Sequence, residues 1–168
     1  MIEIDKLTKW AQAGDGHAMY KLAVMERDEN NFPQYEHWLE KSAEAKHFDA
    51  MKEFAKLKRD KGDYATALAL YKELAKDLFD VESMEFIVDM CEQNQGVPKN
   101  DADTLNFVLK IIDSMYNEIY LIDRGNILMR TLMFDTRRHN ECTMRYLEAI
   151  ERRRIASRIR KILSTTEV

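Results

Sequence analysis

The residues best suited to hold a metal lie late in the chain, where His139 follows Asp135 by four positions and Cys142 follows His139 by three. Such spacings place side chains on one face of a helix. Zinc takes three or four ligands in proteins, and only His139 and Cys142 are good ones here. We therefore expect no metal site. Cys91 and Cys142 are instead predicted to be small buried side chains in a reducing compartment.

No other set of residues predicts catalysis or cofactor binding. The five glycines never cluster, so the sequence has no phosphate-binding or dinucleotide-binding loop. Asp101 and Asp103 fit the start of a helix, where a capping side chain and a first-turn acid are favourable. His17, His37 and His47 lie within the repeats and are interpreted as surface or interface histidines. The sequence thus predicts a protein that is not an enzyme and has no cofactor.

Charge is distributed unevenly along the 168 residues, whose net charge is −4. Residues 1–114 carry 15 Lys and Arg against 23 Asp and Glu, whereas residues 115–168 carry 11 against 7, and ten of those 11 cations are arginine. The N-terminus contains Glu3 and Asp5, which a signal peptide would lack, and no stretch approaches 18 apolar residues. We expect a cytoplasmic protein with no membrane segment.

A period of 32 to 33 residues decides the expected architecture. At an offset of 32, one apolar and small-residue pattern recurs as Ala13, Ala18, Met19, Leu22 and Ala23 and then as Ala45, Ala50, Met51, Phe54 and Ala55. A third copy follows at 33, with Ser83, Met84, Ile87 and Val88. Each period contains two segments whose apolar residues have helical spacing, so the sequence predicts helical hairpins.

The predicted helices cover residues 3–13, 16–28, 33–45, 48–60, 63–76, 80–92 and 101–114, followed by an apolar segment at 116–134 and a last helix at 138–163. Gly14 and Gly62 are predicted to end helices, Pro33 to lie in a first turn, and Asp63 and Asp101 to be N-caps. Small residues are expected where neighbouring helices approach closely: Ala18, Ala23, Ala50, Ala55 and Ala67.

Two short motifs carry a family resemblance. The order Gly62, Asp63, Tyr64, Ala67 and Tyr71 resembles the turn and second helix of tetratricopeptide repeats. Residues 95–101, which read Gln-Gly-Val-Pro-Lys-Asn-Asp, resemble the loop of the related Sel-one-like repeat. The resemblance implies a right-handed superhelical array of antiparallel helix pairs over residues 1–114. Residues 115–168 match neither repeat and are predicted to be an arginine-rich helical cap of the same compact domain.

The resemblance also implies where a partner would bind, because the first helix of each pair lines a concave groove in such arrays. Here those positions are His17, Tyr20, Val24 and Arg27 in repeat one, Asp49, Lys52, Lys56 and Arg59 in repeat two, and Glu82, Glu85, Asp89 and Glu92 in repeat three. A basic middle beside an acidic end would select a complementary partner. The alternative is that these residues are only solvated helix surface.

A second candidate surface is a cluster of cations near the C-terminus, on a helix that also carries Ile155, Ile159 and Ile162. The cations are Arg152, Arg153, Arg154, Arg158, Arg160 and Lys161. A solvated end helix, a site for an acidic protein and a nucleic-acid contact are all compatible with this pattern, in that order of preference. The leading hypothesis is a protein-binding adaptor or inhibitor, such as an immunity or antitoxin protein. The alternative is a nucleic-acid-associated regulator that uses the arginines.

Overall fold

The computed structural model describes the backbone of residues 2–114 and 136–166 and the side chains of residues 4–114 and 148–165. Within those ranges the regular structure is entirely α-helical, which confirms the all-α part of the predicted fold class. Its eight helices are α1 Ile2–Gln12, α2 Gly16–Asp28, α3 Phe32–Glu44, α4 Phe48–Asp60, α5 Tyr64–Asp77, α6 Val81–Glu92, α7 at residues 102–114 and α8 Thr136–Thr166. The segment predicted at 116–134 and the side chains of Asp135, His139 and Cys142 lie outside the described residues.

The first seven helices begin, and the first six end, within one residue of the predicted bounds, because the signals that start and stop them are local. Gly14 and Gly62 have φ angles of 95° and 82°, in the left-handed region where glycine has no Cβ to clash. The carboxylate of Asp63 accepts a hydrogen bond from the backbone N–H of Thr66 at 3.3 Å, and Asp101 does the same for Thr104 at 2.9 Å. Both are therefore N-caps, as predicted.

Left-handed residues recur at regular intervals along the first six helices. They are Gly14, Asn30, Lys46, Gly62, Phe79 and Asn94, so one follows the next every 15 to 17 residues. Each closes a helix of 11 to 14 residues before a short turn. The period of 32 to 33 residues is therefore two nearly equal steps of one helix and one turn.

The chain separates into two compact units, residues 1–74 and 75–168, and the boundary falls within α5. In the first unit α1 packs on α2, α2 on α3 and α3 on α4. The small residues predicted at close helix approaches, which are Ala18, Ala23, Ala50, Ala55 and Ala67, are at most 1% exposed. Larger side chains such as Leu39 and Tyr71 fill the space between the helices.

In the second unit, α6 is buried on one side and contacts α8. Fully buried side chains come from three helices: Met84, Ile87, Val88, Met90 and Cys91 on α6, Leu105, Val108 and Ile112 on α7, and Ala156 and Ile159 on α8. The predicted apolar side of the last helix is thus confirmed at Ile155 and Ile159, which are 2% and 0% exposed. Cys91 is buried and forms no disulfide.

Candidate binding surfaces

Two predicted groove residues of repeat one, Tyr20 and Arg27, share a single carboxylate on α4. Glu53 on α4 accepts hydrogen bonds from the Tyr20 hydroxyl at 3.1 Å and from the Arg27 guanidinium at 2.8 Å. Tyr35, a residue of α3 that is 7% exposed, lies near enough to Glu53 for this carboxylate to raise the pKa of its hydroxyl. We call these four residues the Glu53 network. It connects three helices of the first unit and fixes the positions of Tyr20 and Arg27.

Charge and burial within the Glu53 network shift three pKa values. Burial is the main cause of the raised pKa of Tyr35, and the negative charge of Glu53 together with its hydrogen bond raises that pKa further. The same causes, in the same order, raise the pKa of Tyr20. The Glu53 carboxylate raises the pKa of Arg27. The network is therefore a protonated pair of phenols and a guanidinium that share one carboxylate.

The raised tyrosine pKa values predict a loss of stability in alkali. Above pH 10.0, the ordinary tyrosine value, the unfolded chain releases its phenolic protons while the folded chain still holds those of Tyr20 and Tyr35. Stability from these groups is thus complete below pH 10.0 and falls as the pH rises above it. Urea unfolding followed by circular dichroism at pH 8 and pH 11 should show this fall. The Tyr35→Phe variant should show a smaller one, and an equal fall would contradict the assignment.

Two histidines lie beside the Glu53 network, where α2 and α4 begin. The Nδ1 atom of His47 accepts from the backbone N–H of Ala50 at 3.4 Å, so His47 is the N-cap of α4. That role leaves the ring proton on Nε2, which donates to Nδ1 of His17 at 3.3 Å. The Tyr20 ring stacks on His47 with centroids 4.9 Å apart. Among the described side chains no three potential ligands converge as a metal ion would require.

The remaining predicted groove residues of α4 project outward. Asp49 and Lys56 are exposed, while Lys52 and Arg59 are half-buried. Lys52 lies over the Phe48 ring at 5.3 Å, and Arg59 is 3.8 Å from Asp60. We name the surface formed by the predicted residues of these two helices the α2–α4 face: His17, Tyr20, Arg27, Asp49, Lys52, Lys56 and Arg59.

In the second unit the structure brings two separately predicted surfaces together. Arg158 on α8 donates to Asp89 on α6 at 2.7 Å and forms a forked pair with Glu92, in which Nε lies 3.2 Å from a carboxylate oxygen. Each of these three side chains is 32% to 36% exposed. Hydrogen bonding to Glu92 is the largest influence on the pKa of Arg158, and it raises that pKa. Burial of the guanidinium lowers the pKa, the hydrogen bond to Asp89 raises it, and the net shift is upward. We call these three residues the Arg158 clamp.

The other predicted residues of this unit lie around the Arg158 clamp. Arg154 is 3.9 Å from Glu85 and 3.3 Å from Glu151, and Arg160 is 3.6 Å from Asp113. Glu82 is exposed at the start of α6, and Arg153 is exposed on α8. Arg152 is 8% exposed and pairs with Glu148 at 3.1 Å, and its burial lowers the pKa of its guanidinium.

No family model, curated protein or solved structure matches this chain. The resemblance to tetratricopeptide and Sel-one-like repeats stays a prediction, as do the right-handed superhelix and the division of the chain at residue 114. In the ranges 2–114 and 136–166, no helix has both the length and the apolar content needed to cross a lipid bilayer.

Glu53 and Tyr35 are not among the predicted groove residues, and His47 is predicted only as a surface or interface histidine. Tyr20 precedes Glu53 by 33 residues, one more than the 32-residue offset between these two repeats, so Glu53 lies one residue beyond the position on α4 that matches Tyr20 on α2. The period alone therefore does not predict this pair. Tyr35 carries no signal either, since its register depends on how α3 packs between α2 and α4.

Proposed function

We propose that this chain is a helical-repeat module that binds another protein through the α2–α4 face. The observation that supports it most is the Glu53 network, which orders Tyr20 and Arg27 beside the outward-projecting Asp49 and Lys56. Ordered side chains lose less conformational entropy on binding, and tyrosine and arginine are the residue types that contribute most at protein interfaces.

The charge of this face determines the kind of partner. Lys52, Lys56 and Arg59 follow one another at spacings of four and three along α4, so they share one side of that helix. The α2–α4 face contains four cations and one acid, Asp49, while Glu53 pairs with Arg27 and Asp60 lies beside Arg59. The remaining excess of positive charge favours a partner with an acidic surface. The module would act in the cytoplasm, as an adaptor or as an inhibitor of the immunity or antitoxin type.

The alternative of nucleic-acid binding through the α8 arginines has less support. Arg154, Arg158 and Arg160 each lie within 4 Å of a carboxylate of the same unit. A phosphate backbone would have to compete with those carboxylates for each cation. An antitoxin that blocked a basic toxin with the acids of α6 would have to displace Arg158, which pairs with Asp89 and Glu92.

The test begins with affinity capture from the native host and identification of the partner by mass spectrometry. The purified pair is then titrated by calorimetry. Reversing the three α4 cations (Lys52→Glu, Lys56→Glu, Arg59→Glu) is expected to weaken binding by at least about tenfold, which corresponds to about 1.4 kcal/mol.

A matched control reverses three cations on helices outside the α2–α4 face, so that the net charge changes by the same amount. Lys9, Lys41 and Lys76 are exposed on α1, α3 and α5, and their reversal to glutamate should leave the affinity within about twofold. Equal losses from both triple variants would show a general charge effect and refute the α2–α4 face. Binding of RNA or DNA that collapses with rising salt and depends on the α8 arginines would establish the alternative.

A further inference from the structure

The acidic side of α6 has the features of a recognition surface for a helix. Glu85, Asp89 and Glu92 follow one another at spacings of four and three, so their carboxylates form a stripe along one side of α6. Two arginines of α8, Arg154 and Arg158, are four residues apart and meet that stripe. The two arginines of α8 therefore match the acids of α6 in spacing as well as in the sign of their charge.

Apolar contact accompanies this charge match. Ile155 and Ile159 directly follow the two arginines in sequence and are at most 2% exposed, with Ala156 fully buried between them. The α8 sequence thus alternates an arginine that reaches the carboxylates with an isoleucine that enters the core. A ligand able to replace α8 on this surface needs both elements, because arginines alone would leave the apolar side of α6 in water.

We infer that the acidic side of α6 is a docking surface for an amphipathic helix that carries arginines four residues apart beside an apolar stripe, and that α8 is its built-in occupant. The surface is separate from the α2–α4 face, so this inference goes beyond the proposed function and does not depend on it. A partner protein that presents such a helix competes with α8 for Asp89 and Glu92. Because α8 belongs to the same chain, its effective concentration is high and it keeps the surface covered until that partner is present.

The experiment uses the full chain and a labelled synthetic peptide of residues 148–166 as the probe. In the chain, Arg154→Glu and Arg158→Glu place like charges against the α6 acids and weaken the hold of α8. By fluorescence anisotropy this variant should bind the peptide at least about tenfold more tightly than the wild-type chain does. A peptide that itself carries both glutamates should bind neither chain, because it repels the same carboxylates.

Several results would overturn the inference. If the wild-type peptide binds the variant no better than it binds the wild-type chain, or if both peptides bind equally, α8 is only a fixed part of the core. If the variant binds intact wild-type chain but not the peptide, the occupant is a second copy and not a foreign helix. A matched variant with Arg153→Glu and Arg160→Glu changes the same charge on α8 away from the Arg158 clamp and should not gain peptide binding.

A second variant allows the same test if the first variant misfolds. If the reversed chain loses its helical circular dichroism spectrum, the titration is repeated with Arg154→Met and Arg158→Met. Methionine keeps an apolar stem beside Ile155 and Ile159 and removes only the cation, so α8 is held less tightly while the core stays filled. The expected gain in peptide binding is smaller, about threefold or more, and its absence would refute the docking surface in the same way.

Discussion

Replacing Glu53 by alanine is expected to lower the free energy of unfolding by about 2–3 kcal/mol. Tyr20 and Arg27 lose their shared acceptor, and the largely buried Tyr35 loses the carboxylate beside it. The Glu53 side chain is only 26% exposed, so its removal lets little additional water reach the donors that lose their acceptor. Urea unfolding followed by tryptophan fluorescence measures the effect locally, because Trp10 and Trp38 both belong to the first unit.

Two controls separate the Glu53 network from a generic loss of charge. Glu40→Ala removes an exposed acid from α3 and should change stability by no more than about 0.5 kcal/mol. Tyr35→Phe should be clearly destabilising in the wild-type chain and nearly neutral in the Glu53→Ala chain, since its acceptor is then already absent. Additive losses in the double variant would mean that Tyr35 and Glu53 do not interact.

Replacing Arg158 by methionine is expected to destabilise the contact between α6 and α8 by about 1.5–3 kcal/mol, the range for hydrogen bonds between charged groups. Asp89 and Glu92 would face each other across a half-buried site with no cation between them. Cys91 is fully buried on α6 in the same unit, so its thiol reports the opening of that unit. In a Cys142→Ser background, the rate at which a thiol reagent modifies Cys91 should rise by about 10- to 100-fold.

The matched control is Arg160→Met on the same helix. Arg160 and Asp113 are each 60% exposed and 3.6 Å apart, and such exposed pairs contribute about 0–1 kcal/mol. Cys91 should therefore react at close to the wild-type rate in this variant. Equal acceleration by both substitutions, or none by Arg158→Met, would show that the Arg158 clamp does not hold α8 on α6.

The helices could be predicted because their signals are local. The candidate binding surfaces were difficult to predict because they depend on contacts between residues far apart in the sequence. Gly62 ends α4 and Asp63 caps α5 through backbone conformations and hydrogen bonds that span no more than a few residues. The periodic alanines in turn indicated which helix sides pack together, and those alanines are buried. These features depend on residues that are near neighbours in the sequence, so one sequence is enough to recognise them.

The pairings within the two surfaces depend on separations that periodicity cannot specify. Glu53 meets Arg27 across 26 residues, and Arg158 meets Asp89 across 69. The first requires the lateral offset of α2 and α4, and the second requires the placement of a helix that follows the undescribed residues 115–135. The sequence showed an acidic stripe and an arginine helix as two independent candidates, although their matching four-residue spacings already indicated that they could be each other's partners.

The short turns have an electrostatic consequence for how this protein could change partners. Consecutive helices of the first unit run in opposite directions, so the start of α2 lies against the end of α3, where Ser42 donates to the Gly16 carbonyl at 2.7 Å. The partial positive charge of one helix start is thereby offset by the partial negative charge of a neighbouring helix end. The backbone contributes little field at this edge, and side chains alone set the charge that a partner meets. If the proposed function holds, single substitutions on α2 and α4 will change which partner binds while the backbone stays the same.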